Sequence, residues 1–495
     1  MAAKARAPAF FRFRRLPASG GRRQRVLVTS DVGDAVVLSS ADFERFAAGR
    51  LSGDEPAARL LAERGFFADS VDPELLAARY RLRNQHLHHG AHLHMVVTTL
   101  RCNELCLYCH AARTSMDHAG VDMSLETARR VVDVIFQSPS RSLNIEFQGG
   151  EPTANWPVLQ FIVDYAREKN RLERRDLALT LVSNLALMTD ERLRWLVDRG
   201  VAICTSLDGP RDLHDWNRRI VGGGSAYDAT LRWMRAFHDE YARRGLDPVA
   251  AHVDALMTST VRSLPRARDI VDEYVAQGIK VIHLRPLNPF GFAVDLWAKI
   301  GYSLAAYVAF WREALDHILA VNRRGTLLIE RGAAILLARL LSDEDPMYVD
   351  LRSPSGEGLA AMAYYHDGSV YSGDEGRMLA KMGDDTFKLG HVADDDYQQL
   401  IGAPVVRATA QASVLEALPA CSSCAYAPFC GVRPVYNWAT QRRLSQLAPL
   451  SDHCRLQLAV FDRLFELMED PGNMDIFAQW IINRPRVTGL QQEAA

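Results

Sequence analysis

Three cysteines lie close together in one short stretch of the chain: Cys102, Cys106 and Cys109, within the sequence Thr-Leu-Arg-Cys-Asn-Glu-Leu-Cys-Leu-Tyr-Cys-His. Four thiolates saturate an iron–sulfur cluster, whereas three leave one iron free to take a small molecule. Zinc favours four ligands, often as two pairs, and an isolated C-x3-C-x2-C does not supply them. The spacing therefore predicts a 4Fe–4S cluster with one open iron.

A second set of cysteines lies far downstream. Cys421, Cys424 and Cys430 form a C-x2-C-x5-C run, and Cys454 follows. Four thiolates make a complete ligand set, which suits a closed 4Fe–4S cluster or a zinc ion equally well on first principles.

Two further motifs could hold a small ligand. In Gln148-Gly149-Gly150-Glu151-Pro152, the glycines let the backbone approach a ligand closely, and Glu151 offers a carboxylate to an ammonium group. The second motif combines Ser206 with Arg218, twelve residues later.

The elements that position these residues alternate between strand and helix. Apolar strand-like runs occupy residues 94–100, 143–147, 177–182, 201–206, 252–257 and 281–284, and helical patterns occupy residues 125–136, 158–169, 191–198, 229–241 and 267–276. Helical crossovers imply parallel strands, so six such units predict an α/β fold with a partial (β/α)6 barrel over residues 91–325. Ligands gather at the carboxyl ends of such strands, and the first cysteines, the glycine motif and Ser206 each follow a strand.

Length and composition limit the remaining possibilities. A chain of 495 residues suggests two to four domains, and a net charge of -2 gives no indication of nucleic acid or of a membrane surface. No apolar run approaches a membrane span and no signal-peptide core follows the start, so we expect a cytoplasmic protein. Its eight cysteines are interpreted as metal ligands rather than disulfides.

The flanking segments differ from the barrel. Residues 1–90 predict a small α+β domain, with strands at 25–29 and 34–39, a helix capped by Ser39 or Ser40, and a second helix over 55–64. Its basic residues suggest a solvated tail or a phosphate-binding arm: Lys4, Arg6, Arg12, Arg14, Arg15, Arg22, Arg23 and Arg25. Beyond the barrel we expect a helical linker (326–359), a turn-rich domain (360–470) and a tail (471–495).

The first cysteine stretch, with an aromatic residue before its last cysteine, resembles the signature of the radical S-adenosylmethionine (SAM) superfamily. The resemblance implies an enzyme in which the open iron binds SAM. It also implies SAM contacts by the following residues: Tyr108, Gln148, Gly149, Gly150, Glu151, Asn184, Ser206, Arg218 and Leu287. Among these, Tyr108 is expected near the adenine.

The downstream cysteines resemble the second auxiliary cluster of SPASM domains, the C-terminal extension of radical SAM peptide maturases. The resemblance implies a second 4Fe–4S cluster on Cys421, Cys424, Cys430 and Cys454. Two positions depart from the pattern, because Gly373 and Pro434 stand where the first auxiliary cluster would have cysteines. Asp374 aligns with the proton acceptor of sulfatase maturases.

Within that group, the long N-terminal segment, residues 371–377 and the single auxiliary cluster are similar to the maturases of the His-Xaa-Ser peptide system. This similarity implies a ribosomally made precursor peptide as substrate and an oxidative change such as a crosslink. It further implies a paired radical SAM maturase and a low-potential reductant of the flavodoxin or ferredoxin type. The N-terminal segment would recognise a leader peptide or serve as a structural lid.

Two other functions stay open. Formylglycine formation on a sulfatase would use the same machinery, although the missing first-auxiliary cysteines argue against it. A non-catalytic iron–sulfur or zinc scaffold that binds peptide would leave the glycine motif and the Ser206–Arg218 element without a purpose.

Overall fold

The computed structural model of the chain describes residues 6–17, 24–51, 54–111, 113–248 and 251–484. Lys4, Arg22, Arg23 and the last part of the expected tail, residues 485–495, lie outside the described residues. Within these ranges, we find no helix with the length and apolar character needed to cross a bilayer.

The N-terminal segment folds around a three-stranded antiparallel sheet in the order β1-β2-β3. Its elements are β1 (Arg12–Arg15), β2 (Arg25–Thr29), β3 (Ala35–Ser39), α1 (Ser40–Ala47), α2 (Pro56–Glu63) and α3 (Pro73–Arg83). The Ser39 side chain caps α1 by accepting from Asp42 N, as expected from the sequence, and Phe43 and Phe46 of this helix are buried against the sheet. Strand β1 is an addition, since its arginine-rich sequence lacks the apolar alternation of a predicted strand.

The central part contains the six predicted β/α units. The strands are β4 (Leu93–Thr99), β5 (Ser142–Gly149), β6 (Asp176–Val182), β7 (Val201–Ser206), β8 (Asp254–Thr258) and β9 (Val281–Arg285). The helices are α4 (Leu125–Ile135), α5 (Trp156–Glu173), α6 (Asp190–Asp198), α7 (Arg211–Asn217), α8 (Ala226–Arg243) and α9 (Ala267–Ala276). Every neighbouring pair from β4 to β9 is parallel, as the crossover helices require.

The stretch after β9 corrects the expected linker. It forms α10 (Phe292–Asp295), α11 (Trp297–Ile300), α12 (Leu304–Arg323), β10 (Ile329–Glu330) and α13 (Arg331–Leu341). Strand β10 pairs in parallel with β9 and so extends the sheet beyond the predicted sixth strand. The sequence pattern missed it because two residues are too few to show a period.

The C-terminal part continues the same sheet on its other side. Its elements are β11 (Ala361–Tyr364), β12 (Ser369–Tyr371), α14 (Asp374–Lys381), β13 (Lys388–His391), α15 (Tyr397–Ile401), α16 (Pro404–Ala412), α17 (Pro434–Gln441), α18 (Asp452–Leu467) and α19 (Pro471–Ile482). Strand β11 pairs in parallel with β4, giving ten strands in the order β10-β9-β8-β7-β6-β5-β4-β11-β12-β13.

Helix α19 contradicts the expected tail over residues 471–484. Asp470 caps the helix, and Phe477 and Trp480 are fully buried against the central core. Burial of Phe477 and Trp480 stabilises α19, a helix that was not predicted from the sequence.

Candidate functional site

The loop that carries Cys102, Cys106 and Cys109 follows β4, at the carboxyl end of the sheet. Cys102 N donates to Thr114 O at 3.0 Å, and Thr114 N donates back to Leu100 O at 2.7 Å. At its far end Phe292 N donates to Cys109 O at 3.0 Å, so the loop after β9 holds the last cysteine. Backbone bonds at both ends therefore fix the loop in place.

A second segment, residues 217–221, is joined to the same loop by backbone hydrogen bonds. Val221 N donates to Asn103 O (2.8 Å), Leu105 N to Arg219 O (2.7 Å) and Leu107 N to Asn217 O (2.9 Å). Because this segment follows α7, the residues after β7 are brought beside the cysteines.

The three thiols lie close enough to influence one another. All are free, Cys102 is buried, and Cys106 and Cys109 are half-buried. Burial raises the pKa of Cys106 well above its usual range, and the neighbouring Cys109 and Cys102 raise it further, whereas Arg218 opposes them. Three cysteines on one loop, beside a guanidinium that favours the thiolate form, are a donor set suited to an iron–sulfur cluster.

A buried ion-pair network lies beneath this loop. Arg218 Nη1 lies 3.1 Å from Glu104 Oε2 and its Nε lies 3.5 Å from Asp208 Oδ2. Tyr108 joins the network, because its hydroxyl donates to Asp208 (2.6 Å) and accepts from Arg218 (2.7 Å). The side chain of Arg218, which lies twelve residues after Ser206, is only 11% exposed, whereas that of the neighbouring Arg219 is exposed.

Sequence reasoning assigned no role to Glu104, although it lies between two of the cysteines. Its Oε1 is buried without a hydrogen-bond partner among the described residues, and burial raises its pKa. The sequence did contain a signal for such a role. Glu104 is an acidic residue between two cysteines, and a carboxylate buried there requires a basic partner.

The two glycines of the second motif lie directly against the cysteine loop. A Cβ atom on Gly149, whose φ is +137°, would meet Thr99 O, and one on Gly150 would meet Arg101 O and lie 2.5 Å from Leu100 O. No other residue fits here without moving backbone, so the close approach expected from the sequence is present.

Glu151 lies in a different environment from the one its proposed role requires. Its carboxylate is fully buried and accepts from Thr153 N (3.0 Å), Thr153 Oγ1 (2.5 Å), Ser183 Oγ (2.9 Å) and Asn184 N (2.9 Å). These bonds tie the loop after β5 to the loop after β6. The carboxylate therefore positions these loops, and only Oε2, with one donor, has capacity for a ligand's ammonium group.

The remaining predicted SAM contacts surround the cysteines. Asn184 Nδ2 lies 3.8 Å from Cys102 Sγ and donates to Asn103 Oδ1 at 2.9 Å. Ser206 ends β7 half-buried, and its hydroxyl has no hydrogen-bond partner in the part of the chain that the structure describes. Leu287 and Tyr108 belong to one apolar cluster that includes Cys106. These positions come together from four different strand ends.

Asp374 reaches the site from the C-terminal part of the sheet. It begins α14, and its Oδ1 lies 2.5 Å from Nη2 of the buried Arg377. The same Nη2 lies 3.4 Å from Gln148 Oε1, and Gln148 in turn donates to Glu146. Arg377 thus connects two predicted site residues, a connection that the sequence pattern did not reveal.

Part of the inner face of the sheet carries polar side chains, unlike the helix-covered face. Along β5, Ile145 and Phe147 are fully buried against helices, whereas Glu146 and Gln148 point the other way and are half-exposed. The same alternation places a second set of residues on the inner face: Cys204, Asp254, His283 and Arg285. Since strand patterns mark only the apolar face, sequence reasoning missed this polar lining.

The four downstream cysteines form a second group. Cys421 and Cys424 are joined by a turn in which Cys424 N donates to Cys421 O (3.0 Å), and Cys454 lies in the first turn of α18. Burial and the neighbouring Cys454 and Cys424 raise the pKa of Cys421 to about 11. Among the described residues, no three His, Cys, Asp or Glu side chains are arranged so that they could hold one metal ion.

The N-terminal sheet holds this second group, which corrects the expectation of a solvated basic tail at Arg12 and Arg14. Arg12 Nε donates to Ser422 O at 2.8 Å, and Thr29 Oγ1 donates to Ala425 O at 2.8 Å. Arg14 makes a two-bond ion pair with Asp462, each at 2.7 Å. These long-range contacts between residues at opposite ends of the sequence could not be read from local composition.

Known proteins resemble this chain in sequence. A protein of Methanothermobacter thermautotrophicus without an assigned function is 28% identical over 197 residues, which cover 39% of this chain and 67% of that protein. The serine-type anaerobic sulfatase-maturating enzyme of Klebsiella aerogenes is 25% identical over 234 residues, 43% of this chain and 51% of that enzyme. The chain thus spans between half and two thirds of the length of these relatives.

Solved structures resemble the fold over a larger part of the chain. Native anSMEcpe with bound AdoMet and the Cp18Cys peptide matches with a TM-score of 0.63 at 17% identity, covering 78% of this chain and 99% of that one. SuiB of Streptococcus suis, bound to the precursor peptide SuiA, matches with a TM-score of 0.50 at 13% identity, covering 89% and 98%.

The family model of the radical SAM superfamily matches residues 96–247, from β4 through α8. That range contains the first cysteine loop, the glycine motif and the Ser206–Arg218 element. Members of the superfamily are enzymes, and so is the sulfatase-maturating relative. Residues 96–247 are therefore a radical SAM domain, set within an α/β fold like those of anSMEcpe and SuiB.

Proposed function

We propose that the chain is a radical SAM peptide maturase, which cleaves SAM reductively and oxidatively crosslinks side chains of a ribosomally made precursor peptide. The observation that carries the proposal is the convergence of three free thiols, the glycine motif and Ser206 at the carboxyl ends of parallel strands around an open polar face. A paired maturase and a flavodoxin- or ferredoxin-type reductant complete the proposed system.

The residues present fit the implied groups. Cys102, Cys106 and Cys109 would hold a 4Fe–4S cluster, and Cys421, Cys424, Cys430 and Cys454 would hold a second one. When bound on Cys102, Cys106 and Cys109, such a cluster would supply the electron for reductive cleavage of SAM.

The chain's own residues bind and orient the reactants. Gly149 and Gly150 let the loop after β5 pack directly against the cysteine loop, and the Ser206 hydroxyl, at the carboxyl end of β7, is available to a ligand. Tyr108 and Leu287 offer an apolar surface for an adenine. The Arg218 network, through Glu104, holds the cysteine loop against the residues after β7.

Asp374 is the proposed proton acceptor for the oxidised substrate. Its side chain is 26% exposed and lies 2.5 Å from Arg377 Nη2, which holds it at the site. Loss of one hydrogen atom, one proton and one electron gives the closed-shell product, and the second cysteine group is the proposed site that takes the electron.

A direct experiment tests this function. The protein, reconstituted anaerobically with iron and sulfide, is mixed with dithionite and SAM, and 5′-deoxyadenosine is measured. We expect its formation by the native protein and none by Cys106→Ala, while Arg141→Gln, at a side chain that is 90% exposed, retains it. A native protein that makes none would support the peptide-binding scaffold instead.

Sulfatase maturation remains the second candidate, because the match to anSMEcpe has a TM-score of 0.63. Gly373, which precedes α14, and Pro434, which begins α17, oppose it, since neither can ligate a further cluster. Co-expression with a small peptide encoded nearby should give a mass loss of about two hydrogens per crosslink. Oxidation of serine to an aldehyde gives the same mass loss, so a hydrazide probe separates the two: an aldehyde reacts and a crosslink does not.

A further inference from the structure

Arg285 ends strand β9 on the inner face of the sheet. The preceding Leu284 is buried against the helices, so alternation directs the Arg285 side chain into the open polar space, where it is half-exposed. The loop that follows packs on the cysteine loop, through Phe292 N and Cys109 O. Arg285 therefore lies beside the proposed site of chemistry.

Strand pairing fixes this location. Arg285 is the partner of Thr258 in the parallel strand β8, and its carbonyl oxygen accepts from Ser259 N at 3.0 Å. Glu146 and Gln148 of β5 lie on the same inner face. Arg285 thus lies at the carboxyl end of the sheet, on the face that carries these polar side chains.

Three other arginines near this space have carboxylate partners. Arg331 lies 3.0 Å from Asp254, Arg377 lies 2.5 Å from Asp374, and Arg433 lies 3.4 Å from Asp350. Arg285, in contrast, makes no ion pair and no side-chain hydrogen bond within residues 6–17, 24–51, 54–111, 113–248 and 251–484. Glu146 is held by Gln148 rather than by Arg285.

An unpaired guanidinium in a partly desolvated space is costly, and its planar fork matches a carboxylate with two charge-assisted bonds. We propose that Arg285 binds a carboxylate of the peptide substrate, an acidic side chain next to the residue that is modified. This inference rests on the proposed function and narrows its substrate class to peptides with an aspartate or glutamate at that position.

SAM also carries a carboxylate, and the surroundings of Arg285 favour the peptide. The loop that follows Arg285 contacts the C-terminal part of the chain, because Gly291 N lies 3.3 Å from Met382 Sδ. The network of Arg218, Tyr108 and Asp208 is formed with residues after β7, and none of these contacts includes Arg285. A carboxylate from SAM, held by the residues after β7, would lie with that network.

Chemical labelling tests the assignment on the reconstituted, full-length protein. Phenylglyoxal modifies accessible arginines, and mass spectrometry gives the rate at each position. We expect Arg285 to react faster than the paired Arg331. We also expect the pentapeptide acetyl-Gly-Gly-Glu-Gly-Gly-amide to slow its reaction about threefold, whereas the Gln counterpart leaves it unchanged. Equal rates with both peptides would overturn the proposal.

Variants and added SAM distinguish a peptide carboxylate from the SAM carboxylate as the group that Arg285 binds. Calorimetry should show loss of binding of the Glu pentapeptide in Arg285→Gln and partial retention in Arg285→Lys, while Arg141→Gln, at a site with a 90% exposed side chain, behaves as the native protein. Protection of Arg285 by SAM alone, with SAM affinity lost in Arg285→Gln, would assign the carboxylate to SAM and overturn the peptide assignment. Absence of 5′-deoxyadenosine in the native protein would instead refute the proposed function, and the labelling result would be unaffected.

Discussion

Arg377 holds Asp374 at 2.5 Å, and the same nitrogen reaches Gln148 on strand β5. The pair connects helix α14 with the carboxyl end of the central sheet. A carboxylate from the C-terminal part of the chain is thereby fixed beside the glycine motif of the radical SAM domain.

Replacing this carboxylate should separate SAM cleavage from product formation. In Asp374→Asn we expect crosslinked peptide to fall about a hundredfold, because a positioned base contributes about that much to a proton transfer. The ratio of 5′-deoxyadenosine to product should rise, as measured by chromatography and mass spectrometry. Asp394→Asn, at a side chain 81% exposed, is the matched control. Parallel loss of both products would contradict the role.

The Arg218 network should be essential for folding. Arg218→Gln leaves Glu104 and Asp208 buried without their cation, so we expect a loss of about 3–5 kcal/mol in the free energy of unfolding. Urea unfolding of the metal-free protein measures it, with Arg219→Gln at the neighbouring exposed position as control. Similar losses in both variants would show that the network does not stabilise the loop.

The close contact between Gly150 and the cysteine loop should not tolerate an added methyl group. A Cβ on Gly150 would overlap the carbonyl oxygens of Arg101 and Leu100, so Gly150→Ala should displace the cysteine loop. We expect weaker iron retention and loss of the spectral response to SAM. Gly120→Ala, where the nearest atom lies 3.6 Å away, should behave normally. Normal SAM binding by Gly150→Ala would contradict this prediction, because it would show that the cysteine loop can shift without loss of the site.

The N-terminal arginine beside the second cysteine group should control metal retention. Arg14→Gln breaks the two-bond pair with Asp462, which also accepts from Tyr426 in the cysteine-bearing loop. After reconstitution and desalting, we expect iron to fall from about eight towards about four per chain. Arg15→Gln, at the exposed next position, provides the comparison. Full iron content in Arg14→Gln would refute this effect.

Glu330 should give the protein a pH-dependent stability. Burial raises its pKa from 4.5 to about 7, so the folded chain binds more protons than the unfolded chain between these values. Relative to Glu330→Gln, the native protein is therefore most stable below about pH 4.5 and loses about 3 kcal/mol as the pH rises through about 7. Urea unfolding of both proteins across this range measures the difference, and a constant difference would contradict the pKa shift.

Residues with local signals were predictable from the sequence. The six strands, the Ser39 cap and the tight fit at Gly149 and Gly150 each depend on neighbours in the chain or on a short motif. The approach of Gln148 and Asp374 was not predictable, because it needs β11 to pair with β4 and Arg377 to reach across. Likewise, the polar inner face escaped detection, since half-exposed Glu146 and Arg285 resemble surface residues in a linear pattern.

The bond from Arg12 to Ser422 spans 410 residues, and the pair of Arg14 with Asp462 spans 448. During synthesis, strand β1 leaves the ribosome long before its partners exist. The downstream cysteine group therefore cannot reach its final shape until Asp462 has left the ribosome, and a metal held there would be inserted only after that point.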